Sequence, residues 1–153
     1  HLAFLPERPY LTQGTLREML GASDGSVPLD GEMRSALLII DASDLVERAE
    51  GTDQERDWEH VLSQREQQVV ALARVLVARP RFVFVDNLGR IVGEGRLAMV
   101  LAAFVERGIT CVVLSGADEP RLHYDTVLVL AADGTWHVET LQPGTIPGSG
   151  GQP

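Results

Sequence analysis

The sequence predicts an α/β fold, and three features do so together. Residues 63–85 read as a capped amphipathic helix that passes through a proline corner into a short, continuously apolar strand. A second helix-periodic stretch, over 93–107, leads to another apolar strand pattern around Cys111. Near the end of the chain, two β-like runs flank Asp133-Gly134, a strong hairpin dipeptide.

In chain order, residues 2–5 are expected as a strand, with Pro6 and Pro9 framing the loop behind it. Thr15-Leu16-Arg17-Glu18 is a T-x-x-E capping box that opens a short helix, which Gly21 is expected to close in the left-handed conformation. Residues 22–29, rich in Gly, Ser, Asp and Pro, read as a loop. Helices follow over 31–40, with Asp30 as cap, and over 43–49. The charged and polar stretch 50–59 is expected to be a surface connection.

Ser63 and Glu66 form a second capping box, S-x-x-E. The hydroxyl accepts from the backbone N–H three residues on, and the carboxylate reaches back to the cap. Val69, Leu72, Ala73 and Leu76 then recur at i, i+3, i+4 and i+7 as a buried stripe. Pro80 stops this helix, since it has no N–H and biases Arg79 out of the helical region. Phe82-Val83-Phe84-Val85 is a run of β-formers, as expected of a strand covered on both faces, and it ends on Asp86. The helix over 93–107 carries Leu97, Val100, Leu101, Phe104 and Val105 on one face and ends at Gly108. Strands over 126–131 and 135–140 flank a two-residue hairpin turn at Asp133-Gly134. Residues 143–153 are Gly/Pro-rich, lack periodicity and are expected to be a disordered tail.

A chain of 153 residues suits one domain with a real core. At 44% hydrophobic and 23% charged, it is globular rather than disordered in composition. Its 22 acidic and 13 basic side chains give a net charge of −9, which argues against a nucleic-acid partner. The single cysteine, Cys111, excludes an internal disulfide and is expected as a buried, reduced thiol of a cytosolic protein. No stretch approaches the ~20 apolar residues of a membrane span, and no secretory signal is visible. Any work at a membrane is therefore expected to go through a partner.

Leu62-Ser63-Gln64-Arg65-Glu66-Gln67-Gln68 resembles the LSGGEQQ signature of ABC-transporter ATPases, and Phe82–Asp86 stands where that family has its Walker B strand. Upstream, Phe4-Leu5-Pro6-Glu7-Arg8-Pro9-Tyr10-Leu11, followed by Gly14-Thr15-Leu16-Arg17, resembles the Q-loop and the segment entering the helical subdomain. Downstream, Gly108-Ile109-Thr110-Cys111-Val112-Val113-Leu114 resembles the strand leading to the switch-histidine loop. These pieces come in the family's order and cover most of residues 2–138. The flavour is that of an exporter-like group with FLPQ-x-PY and W-x-x-VLS-x-x-EQQ, matched at Trp58-Glu59-His60-Val61-Leu62-Ser63. That group includes peroxisomal fatty-acyl transporters and bacterial peptide or vitamin transporters.

The resemblance implies a mainly parallel sheet of P-loop-NTPase type, with residues 1–142 as a truncated ATPase-like domain. A helical subdomain over about 15–58 would be inserted between the Q-loop strand and the Walker B strand. No G-x-x-x-x-G-K-[ST] phosphate loop occurs in the 153 residues. The family carries that loop ahead of the Q-loop, so the chain is expected to be the C-terminal portion of such a domain. The missing phosphate-loop strand belongs in mid-sheet and is expected to leave a gap of unpaired backbone groups, closed by rearrangement, self-association or strand swapping.

The resemblance also assigns positions. Asp86 matches the Walker B Asp, which in the family holds Mg²⁺, often through water; on residue type alone it is a strand-end carboxylate capping the next turn. Asn87 stands at the catalytic Glu, and an amide cannot accept the proton of an attacking water. Glu7 stands at the Q-loop Gln and puts an anion where the family has a neutral amide. Gly116 falls approximately at the switch His, because Ala117-Asp118-Glu119-Pro120 carry extra residues; His123, further on, reads as a surface or packing residue. Leu88-Gly89-Arg90-Ile91-Val92-Gly93 replaces the D-loop. Ser63, Gln64, Arg65 and Glu66 occupy the nucleotide-facing signature. Ser63 retains a hydroxyl able to bond a γ-phosphate from an opposing subunit. Arg65 takes the second Gly position, where the family needs close backbone approach, and is expected to obstruct rather than to bind phosphate in another way.

Chemistry-bearing positions are thus substituted while packing positions stay apolar, the pattern of a fold retained and a reaction abandoned. The reading that follows is a degenerate ABC ATPase half-site at the cytoplasmic face of a membrane, peripheral or fused to a membrane domain. Its partners would be a transmembrane domain, docked at Arg8, Pro9, Tyr10, Leu11 and Thr12, and a second nucleotide-binding domain. ATP and Mg²⁺ belong to the full-length context, and this chain alone is expected to bind neither tightly. The alternative is a non-enzymatic interaction or regulatory domain descended from that fold. A third reading is an unrelated α/β binding module that mimics the motifs.

Overall fold

The computed structural model describes residues 2–11, 13–21, 26–116 and 121–141. Contacts divide the chain into two compact units, His1–Gly116 and Ala117–Pro153. The first unit opens with β1 (Leu2–Leu5) and the two-residue strand β2 (Gln13–Gly14), followed by α1 (Leu16–Leu20), α2 (Asp30–Ile39) and α3 (Leu45–Arg48). A second short strand, β3 (Arg56–Asp57), pairs antiparallel with β2. Then come α4 (Trp58–Val61), the long α5 (Gln64–Ala78), β4 (Phe82–Asp86), α6 (Leu88–Val92), α7 (Glu94–Glu106) and β5 (Thr110–Leu114).

The strands β1, β4 and β5 form one parallel sheet in that order, with Leu2 beside Phe82 and Leu5 beside Val85. On the other side of β4, Phe82 lies beside Thr110 and Asp86 beside Leu114. The three pair directly, so the expected gap does not fall among them. Two of the sequence's local signals are realised closely. Both capping boxes are closed, at Thr15 with Glu18 and at Ser63 with Glu66. Arg79, ahead of Pro80, ends α5 at φ 48°, ψ 54°, outside the right-handed helical region.

The buried core gathers Leu5, Val83 and Val85 from one sheet face with Val70, Leu72, Ala73 and Leu76 of α5 and Leu97, Val100 and Phe104 of α7. The opposite sheet face is open: Leu2 is 67% exposed, Phe4 63% and Phe82 40%. The expectation that β4 is covered on both faces is therefore corrected. The described helices supply an apolar layer to only one face.

Other local expectations are also revised. Gly21 closes α1 at φ −62°, ψ 153°, not left-handed. It is buried, and a Cβ there would meet the Glu18 and Ser26 carbonyls at 3.1 and 3.2 Å, so close packing is what its small size answers. Asp30 is the first residue of α2 rather than its cap, because its carboxylate pairs with Arg17 at 2.7 Å; the Leu29 N–H donates to Glu32 instead, at 3.3 Å. The stretch 50–59 is more than a surface connection: it holds β3 and the fully buried Trp58, whose Nε1 donates to the Gly14 carbonyl at 2.8 Å. Residues 88–92 form a helix of their own, and Gly93, at φ 82°, separates it from α7. Val105 lies off the buried face of α7, at 74% exposed.

The second unit, described by itself, has a single turn of 3₁₀ helix at Arg121–His123 and the antiparallel hairpin β6 (Thr126–Leu130) and β7 (Trp136–Thr140). Its loop has three residues rather than two. The Ala131 N–H donates to the Thr135 carbonyl, the Gly134 N–H donates back to Ala131, and Gly134 stands at φ 84°. The tail at 143–153 lies outside the described residues.

Candidate functional site

Parallel strands share a direction, so their C-terminal ends form one edge, and loops at such an edge are where open α/β sheets place ligands. Here that edge carries Glu7 just after β1, Asp86 and Asn87 at the end of β4, and Gly116 just after β5. The start of α5 reaches the same edge, since Gln68 Nε2 donates to the Glu7 carbonyl. The sequence-derived positions are thus assembled along one rim. Glu7 and Gly116 are both exposed. His123 is an exposed residue of the second unit. Residues 117–120 and Thr12 lie outside the described residues.

At the start of α5 the signature side chains bond to one another. Ser63 Oγ donates to Glu66 Oε2 at 2.7 Å and accepts from the Glu66 N–H at 3.4 Å, and the Ser63 N–H donates to the same carboxylate at 2.8 Å. From α3, Arg48 grips the other oxygen, Oε1, of Glu66. The Arg48 guanidinium, helped by the Ser63 hydroxyl and N–H, holds the Glu66 carboxyl down to about 2. Gln64 and Arg65 are exposed. Arg65 lines a cavity of about 270 Å³ with Arg48, Glu66, Asp44 and Arg96. Three guanidinium groups meet three carboxylates there once Asp41 is included, so the cavity has no excess of positive charge.

At the end of β4, Asp86 is half-buried and Asn87 turns left-handed, φ 50°, ψ 52°. Asn87 Nδ2 donates to Asp86 Oδ1 at 2.7 Å, and the Asn87 N–H donates to the Leu114 carbonyl at 2.8 Å, tying the ends of β4 and β5 together. Asp86 supplies one carboxylate, with one of its oxygens facing the Asn87 side-chain donor, so it could hold Mg²⁺ only as a member of a larger ligand set. Among the described residues no group of three or more His, Cys, Asp or Glu could hold an ion. Cys111, on β5, is half-buried, and burial pushes its thiol up to about 12, so it is an inert packing residue.

Sequence reasoning missed the Arg48 grip and the Gln68 tether. Both join residues far apart in the chain, and neither residue type marks its partner. No helix among the described residues is long and apolar enough to cross a membrane.

No protein-family model matches the chain. Curated relatives do. The chain is 33% identical over 141 residues to an uncharacterized ABC transporter ATP-binding protein of Synechocystis, matching 92% of this chain and 21% of that protein. It is 27% identical to the ATP-binding cassette sub-family D member 3 of Homo sapiens, over 95% of this chain and 23% of the relative. Against the human lysosomal cobalamin transporter it is 28% identical, over 88% of this chain and 24% of the relative. The chain therefore spans about a fifth to a quarter of the length of these relatives. Among solved structures, a bacterial Atm1-family ABC exporter with ATP bound superposes with a TM-score of 0.66 at 24% identity, covering 85% of this chain and 23% of that one, a likeness of fold.

Proposed function

Because the homologues of this chain, over most of its length, are ABC-transporter ATP-binding proteins and sub-family D members, we propose that it is the C-terminal part of such an ATP-binding domain, with a hydrolysis-incompetent site. The observation that carries the second half is Asn87 at the end of β4, where the resemblance calls for a general base. Its side chain is an amide, and that amide is already bonded to Asp86. Glu7 supplies an anion where a neutral amide is expected, and Gly116 supplies no side chain at all. ATP and Mg²⁺ belong to the longer protein. In that context Ser63 and Asp86 would be the residues of this chain nearest to them, Mg²⁺ supplying charge neutralisation of the phosphates.

Partners follow from the same reading: a transmembrane domain, a second nucleotide-binding domain, and a place on the cytoplasmic face of the membrane. Support for docking comes from a groove of about 440 Å³ of mixed lining, with β1, Pro9, Tyr10, Leu11 and Met19 beside Arg74 and its neighbours on α5. Tyr10 is 82% exposed at its rim. A crosslink from Tyr10→Cys to the transmembrane domain of an assembled transporter is the expected result there. Its absence in a functional assembly counts against this docking site.

The main test measures phosphate release from Mg-ATP by the 153-residue chain, with Asp86→Asn as control. Release is expected to stay at background in both. Losing a general base alone typically removes about 10²–10⁴-fold of rate. Turnover that disappears in Asp86→Asn would overturn the reading of an abandoned reaction.

A further inference from the structure

Asn87 spends its polar groups on three sides. Its N–H closes β4 onto β5 through Leu114 at 2.8 Å, and its carbonyl accepts from the Arg90 N–H at 3.0 Å to start α6. Its Nδ2 donates to Asp86 Oδ1 at 2.7 Å. The backbone is left-handed, φ 50°, a region that Asn enters at less cost than most residues. A cation and an N–H donor compete for carboxylate lone pairs, and here a donor already faces one of the two Asp86 oxygens.

We propose that Asn87 is an internal lock on Asp86: its side-chain amide occupies one of the two carboxylate oxygens, so one residue removes the proton acceptor and weakens the neighbouring carboxylate as a cation ligand. The inference rests on the reading of Asp86 and Asn87 as nucleotide-site positions. It goes further in saying that the carboxylate itself is weakened as a ligand, and that more is lost than the base beside it.

The lock is tested on the full 153-residue chain with Mn²⁺ alone as the probe, reading paramagnetic broadening of backbone amide signals at residues 85–88. In the wild type, broadening there is expected not to exceed that near other exposed carboxylates. Asn87→Gly keeps the left-handed turn and removes the amide. Its broadening at 85–88 is expected at about ten-fold lower Mn²⁺, the equilibrium equivalent of one hydrogen bond to a charged group. Asn87→Ala also removes the amide, at the cost of a mildly strained turn, and is expected to broaden at similarly lowered Mn²⁺; it carries the test should the glycine variant not fold. Adding Asp86→Asn to either variant abolishes the effect. Broadening in the wild type equal to that in Asn87→Gly, or no broadening in a folded Asn87→Gly, overturns the lock. Nucleotide and turnover play no part, so the outcome is separate from that of the phosphate-release assay.

Discussion

The first turn of α5 and the end of β4 stand on the same rim of the first unit, and both hold a motif residue with its polar atoms already engaged. At α5, Ser63 and Glu66 satisfy each other as any S-x-x-E helix start does, and Arg48 completes the arrangement. Helix formation asks for those bonds whether or not a nucleotide is ever present. At β4, nothing in the strand asks for the bond between Asn87 Nδ2 and Asp86. A residue whose chemistry the fold also needs says little about activity when it is retained. Asp86 and Asn87 say more, because their contact has no comparable structural duty.

The largest expected effect tests how far the α5 end depends on the packing behind it. Trp58 is 1% exposed and anchors β2 through the Gly14 carbonyl, just upstream of the signature. Trp58→Ala is expected to destabilise the chain by ~3–5 kcal/mol in urea unfolding, the usual cost of emptying an aromatic core position. A loss below about 1 kcal/mol would mean that the helix start holds itself up without this anchor.

What the sequence made legible divides along the same line. Both capping boxes, the buried stripe of α5 and the Pro80 corner were readable because each depends on residues within one or two helical turns. The β2–β3 pair and the burial of Trp58 were not, since the Trp58–Gly14 bond spans 44 residues of chain. Val105 fits the apolar period of α7 and yet is exposed, because periodicity says which residues share a face and not how much of it a neighbour covers. At the rim, the identities of Asp86 and Asn87 were plain from the sequence. Their mutual bond depends on a left-handed backbone that no pattern announces.

A smaller effect sharpens the view that the signature serine is a fold residue. Ser63→Ala removes the hydroxyl that caps α5, and about 1 kcal/mol of stability should go with it in urea unfolding. No change would mean that the Glu66 carboxylate and Arg48 suffice without it, and that Ser63 is free to serve a ligand.

The smallest effect lies in the acid range, and it isolates the Arg48 grip on Glu66. In the folded chain that carboxyl is held at about 2, against an ordinary 4.5. The unfolded chain therefore takes up the proton first as the pH falls. The stability that ionised Glu66 contributes is fully present above about pH 4.5 and drains away as the pH drops toward about 2. Other carboxyls are lowered too, among them Asp53 beside Arg17 and Asp57 beside His60, so the wild-type curve alone does not single out Glu66. Glu66→Gln removes one titration and keeps the shape of the side chain. The stability difference between wild type and Glu66→Gln, measured by urea unfolding, should be flat above about pH 5 and shrink steadily below about pH 4.5. Arg48→Ala should weaken that decline, since the first cause of the low value is the guanidinium. A difference that stays constant from neutral pH down to about pH 2.5 would show that the grip adds nothing in solution. The start of α5 would then rest on its capping box alone, and its contrast with the end of β4 would narrow to a single hydroxyl.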